Sequence, residues 1–206
     1  MVLLTALYTT ALICPPDTAC FDGGTILDSD IYRYKHGCAH GGVYHDDDAS
    51  FRVSPHLWPR VYPHLPWRAA SLVVGVEFPR PVGIGAPGCC LQFVQWAFAS
   101  QPNSSLLCDA AALAAQRAAE NHDPRNALGL TGPVMFTEVI LRHIGNQFNL
   151  SDVENAGASY TTKGDTMIVL PYRAFGVHRA HRGPHINFLP ANEQLVRHGF
   201  KGRWRS

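Results

Sequence analysis

The sequence predicts a layered α/β fold with its functional site at the ends of strands, and three observations carry that reading. Short β-branched runs at 43–45, 71–77 and 166–170 alternate with longer stretches of helical period. The densest polar cluster, Asp46, Asp47 and Asp48, falls directly after the first of those runs, at the position where open α/β sheets present their ligands. The chain of 206 residues is 46% hydrophobic and only 16% charged. An average soluble domain carries roughly 25% charged residues, so disorder is disfavoured and one sizeable core is expected.

Taken in order, residues 1–28 form a segment distinct from the body of the domain at 29–206. The apolar run 1–13 has no basic start and falls far short of the ~20 residues that span a bilayer, so it reads as a packed strand ended by Pro15 and Pro16. Ser29 is an N-cap residue opening a helix that stops at Gly41 and Gly42. Val43, Tyr44 and His45 start a strand that runs out into a loop at the aspartates. Residues 52–70 carry Pro55, Pro59, Pro63 and Pro66 and read as loop. Residues 71–77 (SLVVGVE) are a buried strand, followed by a connection over 78–88 broken by three prolines. Residues 91–99 and 104–120 read as two helices, the second capped by Ser104 or Ser105 with Leu106, Leu107, Ala110, Leu113 and Ala114 on one side. Residues 133–144 form a helix with Pro133 at its start and Gly145 in the C-cap place. The run 166–170 (TMIVL) is the last strand.

Composition excludes several functions. Seventeen basic against sixteen acidic residues give a formal charge of +1, which lacks the footprint of a nucleic-acid or anionic-membrane binder. The six cysteines show no C-x-x-C spacing and read as scattered thiols, although an oxidising lumen would allow disulfides of unspecified pairing. Two glycosylation sequons, at Asn103 and Asn149, are compatible with a secretory location. The spacings of dinucleotide, P-loop, hydrolase-elbow and zincin motifs are all missing. His178, His181 and His185 lack cysteine partners and read as a polar loop.

The aspartates are the lead. In extended backbone, residues i and i+2 point to one side, which brings Asp46 and Asp48 about 7 Å apart along the chain. That pair suits one hard divalent cation, Mn²⁺ or Mg²⁺, resting on a substrate's phosphates. An isolated run of three aspartates is more often a solvated loop, so its surroundings decide.

Those surroundings are informative. Ser29-Asp30-Ile31-Tyr32-Arg33-Tyr34 followed by Gly41-Gly42-Val43-Tyr44-His45-Asp46-Asp47-Asp48 resembles the DXD sugar-binding region of glycosyltransferases, with its D-x-x-R-Y helix and GG-[IV]-Y-x-D-x-D run. Further on, Leu91-Gln92-Phe93-Val94-Gln95-Trp96, then 131–138 (TGPVMFTE), then Val169-Leu170-Pro171, then 198–204 (HGFKGRW) resemble the successive motifs of the initiation-specific α-1,6-mannosyltransferase branch. Five motifs in order, from residue 29 to the end, are far more specific than any one.

The resemblance implies a GT-A-like fold, a Rossmann-like mixed sheet with flanking helices, and a retaining, metal-dependent hexosyl transfer from a nucleotide sugar, GDP-mannose in that branch, to an N-glycan acceptor. It places Asp46, Asp48 and His198 on the metal, Asp30 and Arg33 on the donor sugar, and Lys201, Gly202 and Trp204 over the phosphates. Asp30 and Asp47 are the carboxylates available to an oxocarbenium-like sugar. It further implies the Golgi lumen or membrane and a membrane-associated glycosyltransferase complex. Where the family helix is mostly apolar, this chain has Lys35, His36, Gly37, Cys38 and His40, which predicts a weakened packing face. Glu138 stands where the branch commonly has Asp, and Arg203 replaces a small residue. Residues 1–28 are too few for the family's first βαβ half and anchor, so the expectation is a truncated or divergent relative with its amino-terminal half missing. The alternatives are a non-catalytic subunit needing a partner chain, and a glycolipid mannosyl- or galactosyltransferase.

Overall fold

The computed structural model describes residues 11–12, 26–78, 91–121, 123–162, 164–172, 174–175 and 193–199. Its strands are β1 (Ala11–Leu12), β2 (Gly42–His45), β3 (Ala49–Phe51), β4 (Ala70–Phe78), β5 (Gln92–Ser100), β6 (Ala158–Thr162), β7 (Asp165–Val169) and β8 (Val196–His198). Its helices are α1 (Ile26–His40), α2 (Trp58–Val61), α3 (Ser105–Glu120), α4 (Ala127–Leu130), α5 (Pro133–Ile144) and α6 (Leu150–Asn155). Six strands form one sheet in the order β1-β2-β5-β4-β7-β6, and β3 pairs with β8 in a separate ribbon. Parallel pairing joins β1 to β2 and β4 to β7, whereas β5 runs antiparallel to both its neighbours. This is a mixed α/β architecture compatible with a Rossmann-like fold.

The period-2 alternation of the strands divides the core between the two faces of the sheet. Leu72, Val74 and Val76 of β4, with Met167 and Val169 of β7, face α1, α3 and α5 through Tyr34, Leu107, Ala110, Phe136 and Ile140. Val73, Val94, Trp96 and Ile168 face the other way, onto Trp58, Tyr62, Trp67, Phe175 and Val196. Gly75 belongs to this second contact, because a Cβ there would lie 2.9 Å from the Phe175 ring.

The segment 91–99 is a strand, β5, and not the helix its apolar composition suggested. A run buried on both faces shows no period-2 pattern, so periodicity cannot separate it from a buried helix. Its aromatic and β-branched content, Phe93, Val94, Trp96 and Phe98, favours the pleated surface, and pairing with β2 and β4 satisfies its backbone on both edges. The helix expected from Ser29 begins earlier, at Ile26, because Leu27 is buried against Ala118, Ala127 and Leu130 and anchors an extra turn.

Residues 52–70, expected as loop, form short helical turns at Pro55–Leu57 and α2. They carry a buried aromatic set, with the indole N–H groups of Trp58 and Trp67 donated to Val53 O (2.9 Å) and Tyr62 O (2.7 Å). At the start of α3 neither serine side chain caps the helix. The Ser105 N–H is instead donated to the Asp165 carboxylate on β7, at 2.8 Å. Ribbon strands β3 and β8 and helices α4 and α6 are too short to stand out in the sequence, and edge strand β6 (ASYTT) lacks the apolar β-branched run that marks β7. The 78–88 connection and Cys14, Cys20, Cys89 and Cys90 lie outside the described residues apart from Phe78, which ends β4.

The weakened packing face expected along 35–40 does not arise. Lys35 and His40 are exposed. Gly37 lets α3 approach so closely that a Cβ would lie 2.7 Å from Leu107 Cδ1, and Cys38 is bonded to Cys108 of α3. A covalent link and a bare backbone replace apolar bulk. The described cysteines are therefore not scattered thiols. No helix among the described residues is long and apolar enough to cross a membrane.

The Cys38–Cys108 bond closes a span of 70 residues. Replacing both cysteines with serine is expected to lower unfolding stability by about 4 kcal/mol by the loop-entropy relation, read as a fall in denaturant midpoint against the oxidised parent.

Candidate functional site

The acidic turn is built by backbone hydrogen bonds. β2 ends at His45, the Asp46 N–H is donated to Trp96 O at 2.9 Å, and the Ala49 N–H returns to Asp46 O at 2.9 Å. The aspartates therefore occupy a tight turn, and their carboxylates converge through that turn and not through the alternation of an extended strand. The ribbon supplies the third group. Register in β3/β8 pairs Ala49 with His198, and the Gly199 N–H is donated to Asp48 O at 2.7 Å. Only a glycine fits, since a Cβ on Gly199 would come 2.9 Å from that oxygen.

As a result, one ligand atom each from Asp46, Asp48 and His198 all lie within 4.8 Å of one another. His198 Nε2 sits 3.0 Å from Asp48 Oδ1, and the imidazole lies on the Trp96 indole with ring centroids 4.3 Å apart. Two carboxylate oxygens and an imidazole nitrogen form a donor set for a divalent ion.

Behind Asp46 lies a buried polar network centred on Arg33. One turn of α1 separates Asp30 from Arg33, so the two meet as an i, i+3 pair at 3.1 Å. The other end of the guanidinium reaches Asp46 Oδ1 at 3.2 Å and donates to Gln95 O at 3.3 Å. Its carbon stands 5.0 Å from the centre of the Tyr44 ring, and the Tyr44 hydroxyl donates to the same Asp46 oxygen at 2.7 Å.

Asp30, only 2% exposed, accepts from the Thr131 hydroxyl at 2.9 Å and the Gln95 amide at 3.3 Å. Burial raises its carboxyl above the usual range, opposed by the Arg33 charge and these hydrogen bonds. Tyr34 closes the network, donating to Gln95 Oε1 (2.6 Å) and lying 3.0 Å from Thr131 O.

Glu77 is a second buried carboxyl, 8% exposed, near the end of β4. Gln92 donates to it at 2.8 Å, and burial pushes it up to about 7 against hydrogen bonds from Gln92 and Trp96.

Of the site residues read from the sequence, Asp46, Asp48 and His198 meet at one point, with Arg33 and Asp30 in line behind them. Asp47 is exposed on the same turn. Lys201, Gly202 and Trp204, like Arg203, lie outside the described residues. Glu138 sits away from this cluster, bonding Arg117 of α3 at 2.8 Å and Arg142. Sequence reasoning gave no role to Tyr44, Gln95, Trp96 or Thr131, although each stands inside a quoted motif. Glu77 stands in none, and only its position as a lone carboxylate ending an apolar strand marks it.

No protein-family model matches the chain. Its sequence is similar to the initiation-specific alpha-1,6-mannosyltransferase of Schizosaccharomyces pombe, at 28% identity across 87% of this chain and 47% of that protein. The chain thus spans about half the length of the curated relative it matches.

Two outcomes follow from the buried charges. Arg33→Met leaves Asp30 buried without its cation and is expected to cost about 3 kcal/mol or more, part of which Asp30→Asn recovers in the double variant, as denaturant titration of the four proteins would show. The native Glu77 carboxyl keeps its proton up to about 7, while the unfolded chain releases it near 4.5. Its stabilisation is thus complete at low pH and is lost as pH rises through that window. Glu77→Gln should therefore be more stable than the parent by about 1–3 kcal/mol at pH 8, with the gap closing below pH 5.

Proposed function

We propose that this chain is the metal- and sugar-binding part of a GT-A-like glycosyltransferase that moves a hexosyl group, mannose from GDP-mannose, to a glycan acceptor with retention of configuration. The carrying observation is the convergence of Asp46, Asp48 and His198 donor atoms within 4.8 Å of one another at a strand end. The similarity to a mannosyltransferase over 87% of the chain supports the reaction class.

The donor set fits a divalent ion, and its imidazole nitrogen favours Mn²⁺ over Mg²⁺. Asp46, Asp48 and His198 would hold it, and it would supply Lewis-acid stabilisation of the charge on the departing diphosphate. The protein's part is preorganisation. Arg33 and Tyr44 both bind Asp46 Oδ1, which fixes that carboxylate in place before any ligand arrives. Asp30, already occupied by Arg33, Thr131 and Gln95, positions the guanidinium and is not exposed to the sugar. Trp96 orients the His198 ring.

Asp47, exposed on the turn, takes the role of stabilising positive charge on the sugar as its bond to phosphate breaks. The departing phosphate accepts the acceptor's proton, so no separate base is required. Lys201, Gly202 and Trp204 are assigned to the diphosphate. The Golgi lumen is the corresponding compartment, in keeping with the Cys38–Cys108 disulfide.

Titration calorimetry with Mn²⁺ and GDP-mannose tests this. Binding is expected to need the metal and to vanish in Asp46→Ala/Asp48→Ala, with circular dichroism showing that the variant is folded. Metal-independent binding, or binding that survives in the variant, overturns the assignment, and a folded parent that binds neither favours a partner-dependent subunit.

A further inference from the structure

We infer that Asn149 is a site of N-linked glycosylation and that the chain matures in a lumen where Cys38 and Cys108 are oxidised. The lumenal compartment is the one proposed above; the modification of Asn149 goes beyond that reading. Two observations meet in it. The first is the sequon Asn149-Leu150-Ser151 with its asparagine exposed, in the connection that leads into α6. The second is the disulfide between α1 and α3. Such bonds persist in the secretory lumen and are rare in reducing cytosol, and that lumen is where asparagine carboxamides meet their glycosyl donor.

The chemistry is a substitution at a sugar carbon. Asn149 Nδ2 bonds to C1 of an oligosaccharide carried on a lipid diphosphate, the C1–O bond to the diphosphate breaks, the lipid diphosphate leaves, and the amide proton passes to a base of the transferase. The fold tolerates the product. Asn149 Oδ1 accepts from the Ser151 N–H at 3.1 Å and from its hydroxyl at 2.8 Å. Attachment at Nδ2 retains that oxygen and with it these two hydrogen bonds. Phe148 and Leu150 pack into the core on the helix-covered face of the sheet, whereas Ala49 and Val196 of the β3/β8 ribbon belong to the opposite core. A glycan at Asn149 therefore sits on a different face from the ribbon that carries Asp48 and His198.

The second sequon differs in one respect. Asn103 is exposed, with a φ of +61°, but its N–H is donated to Cys38 O at 2.7 Å, and it lies inside the span that Cys38–Cys108 closes. Closure of that bond competes with modification there and leaves Asn149 untouched.

The test uses the full chain, epitope-tagged at its own locus and purified from the cells that make it. Peptide-N-glycosidase treatment is expected to increase its gel mobility and to convert Asn149 to Asp in the mass spectrum, and non-reducing digestion should yield the linked Cys38 and Cys108 peptides. Asn149→Gln and Ser151→Ala should each remove the shift at position 149, and Ser151→Thr should retain it. Because the sugar is added before folding, these readouts hold even for a variant that folds poorly. A native chain insensitive to the glycosidase, an unmodified Asn149 peptide, or Cys38 and Cys108 recovered as free thiols overturns the inference.

Discussion

The guanidinium of Arg33 is the group on which the candidate site depends. It is buried, and burial of a charge costs several kcal/mol unless partners surround it. Asp30 on its own helix and Asp46 across the layer boundary supply that compensation. Each remaining member of the network then has a reason to be present. Thr131 and Gln95 complete the hydrogen bonds of Asp30, and Tyr34 completes those of Gln95. The outcome is directional: Arg33 of α1 and Tyr44 of β2 bind one carboxylate oxygen just past the end of β2, while Gln95 of β5 and Thr131, between α4 and α5, hold Asp30 behind them. A solvated acidic loop would need none of this, and the buried cation behind Asp46 separates this turn from such a loop.

The sheet gives the scaffold its precision. β5 lies between β2 and β4, and its backbone fixes the turn through Trp96 O. The same residue's side chain carries the His198 ring. The geometry of the donor set and the register of the sheet are therefore coupled. A one-residue slip of β5 would turn Trp96 to the opposite face and remove both supports together.

Much of this was legible before any coordinates. The strands at 42–45, 70–78 and 165–169 and the helices at 105–120 and 133–144 announce themselves because propensity, capping residues and period agree there. β5 was misread because it is buried on both faces, and a strand with no polar face has no alternation to show. Residues 35–40 looked unsuited to a packed helix because sequence patterns count apolar bulk, and a glycine contact and a disulfide are invisible to that count. In the site, the grouping of Asp46, Asp48 and His198 followed from the resemblance, but the physical means of their convergence did not. It rests on a turn and on a two-strand ribbon whose partners stand at opposite ends of the chain. Glu77 was silent because burial, not sequence context, makes a carboxyl unusual.

That ribbon has a bearing on the order in which the molecule is completed. Pairing Ala49 with His198 closes a loop of most of the polypeptide, and contacts so distant in sequence form late and slowly. The helices and the central strands can collapse around local contacts well before then, and during synthesis β8 leaves the ribosome long after β3. The acidic turn thus exists first as an incomplete claw, with two oxygens in place and no nitrogen. The donor set is therefore assembled only when a strand far along the chain docks beside the acidic turn.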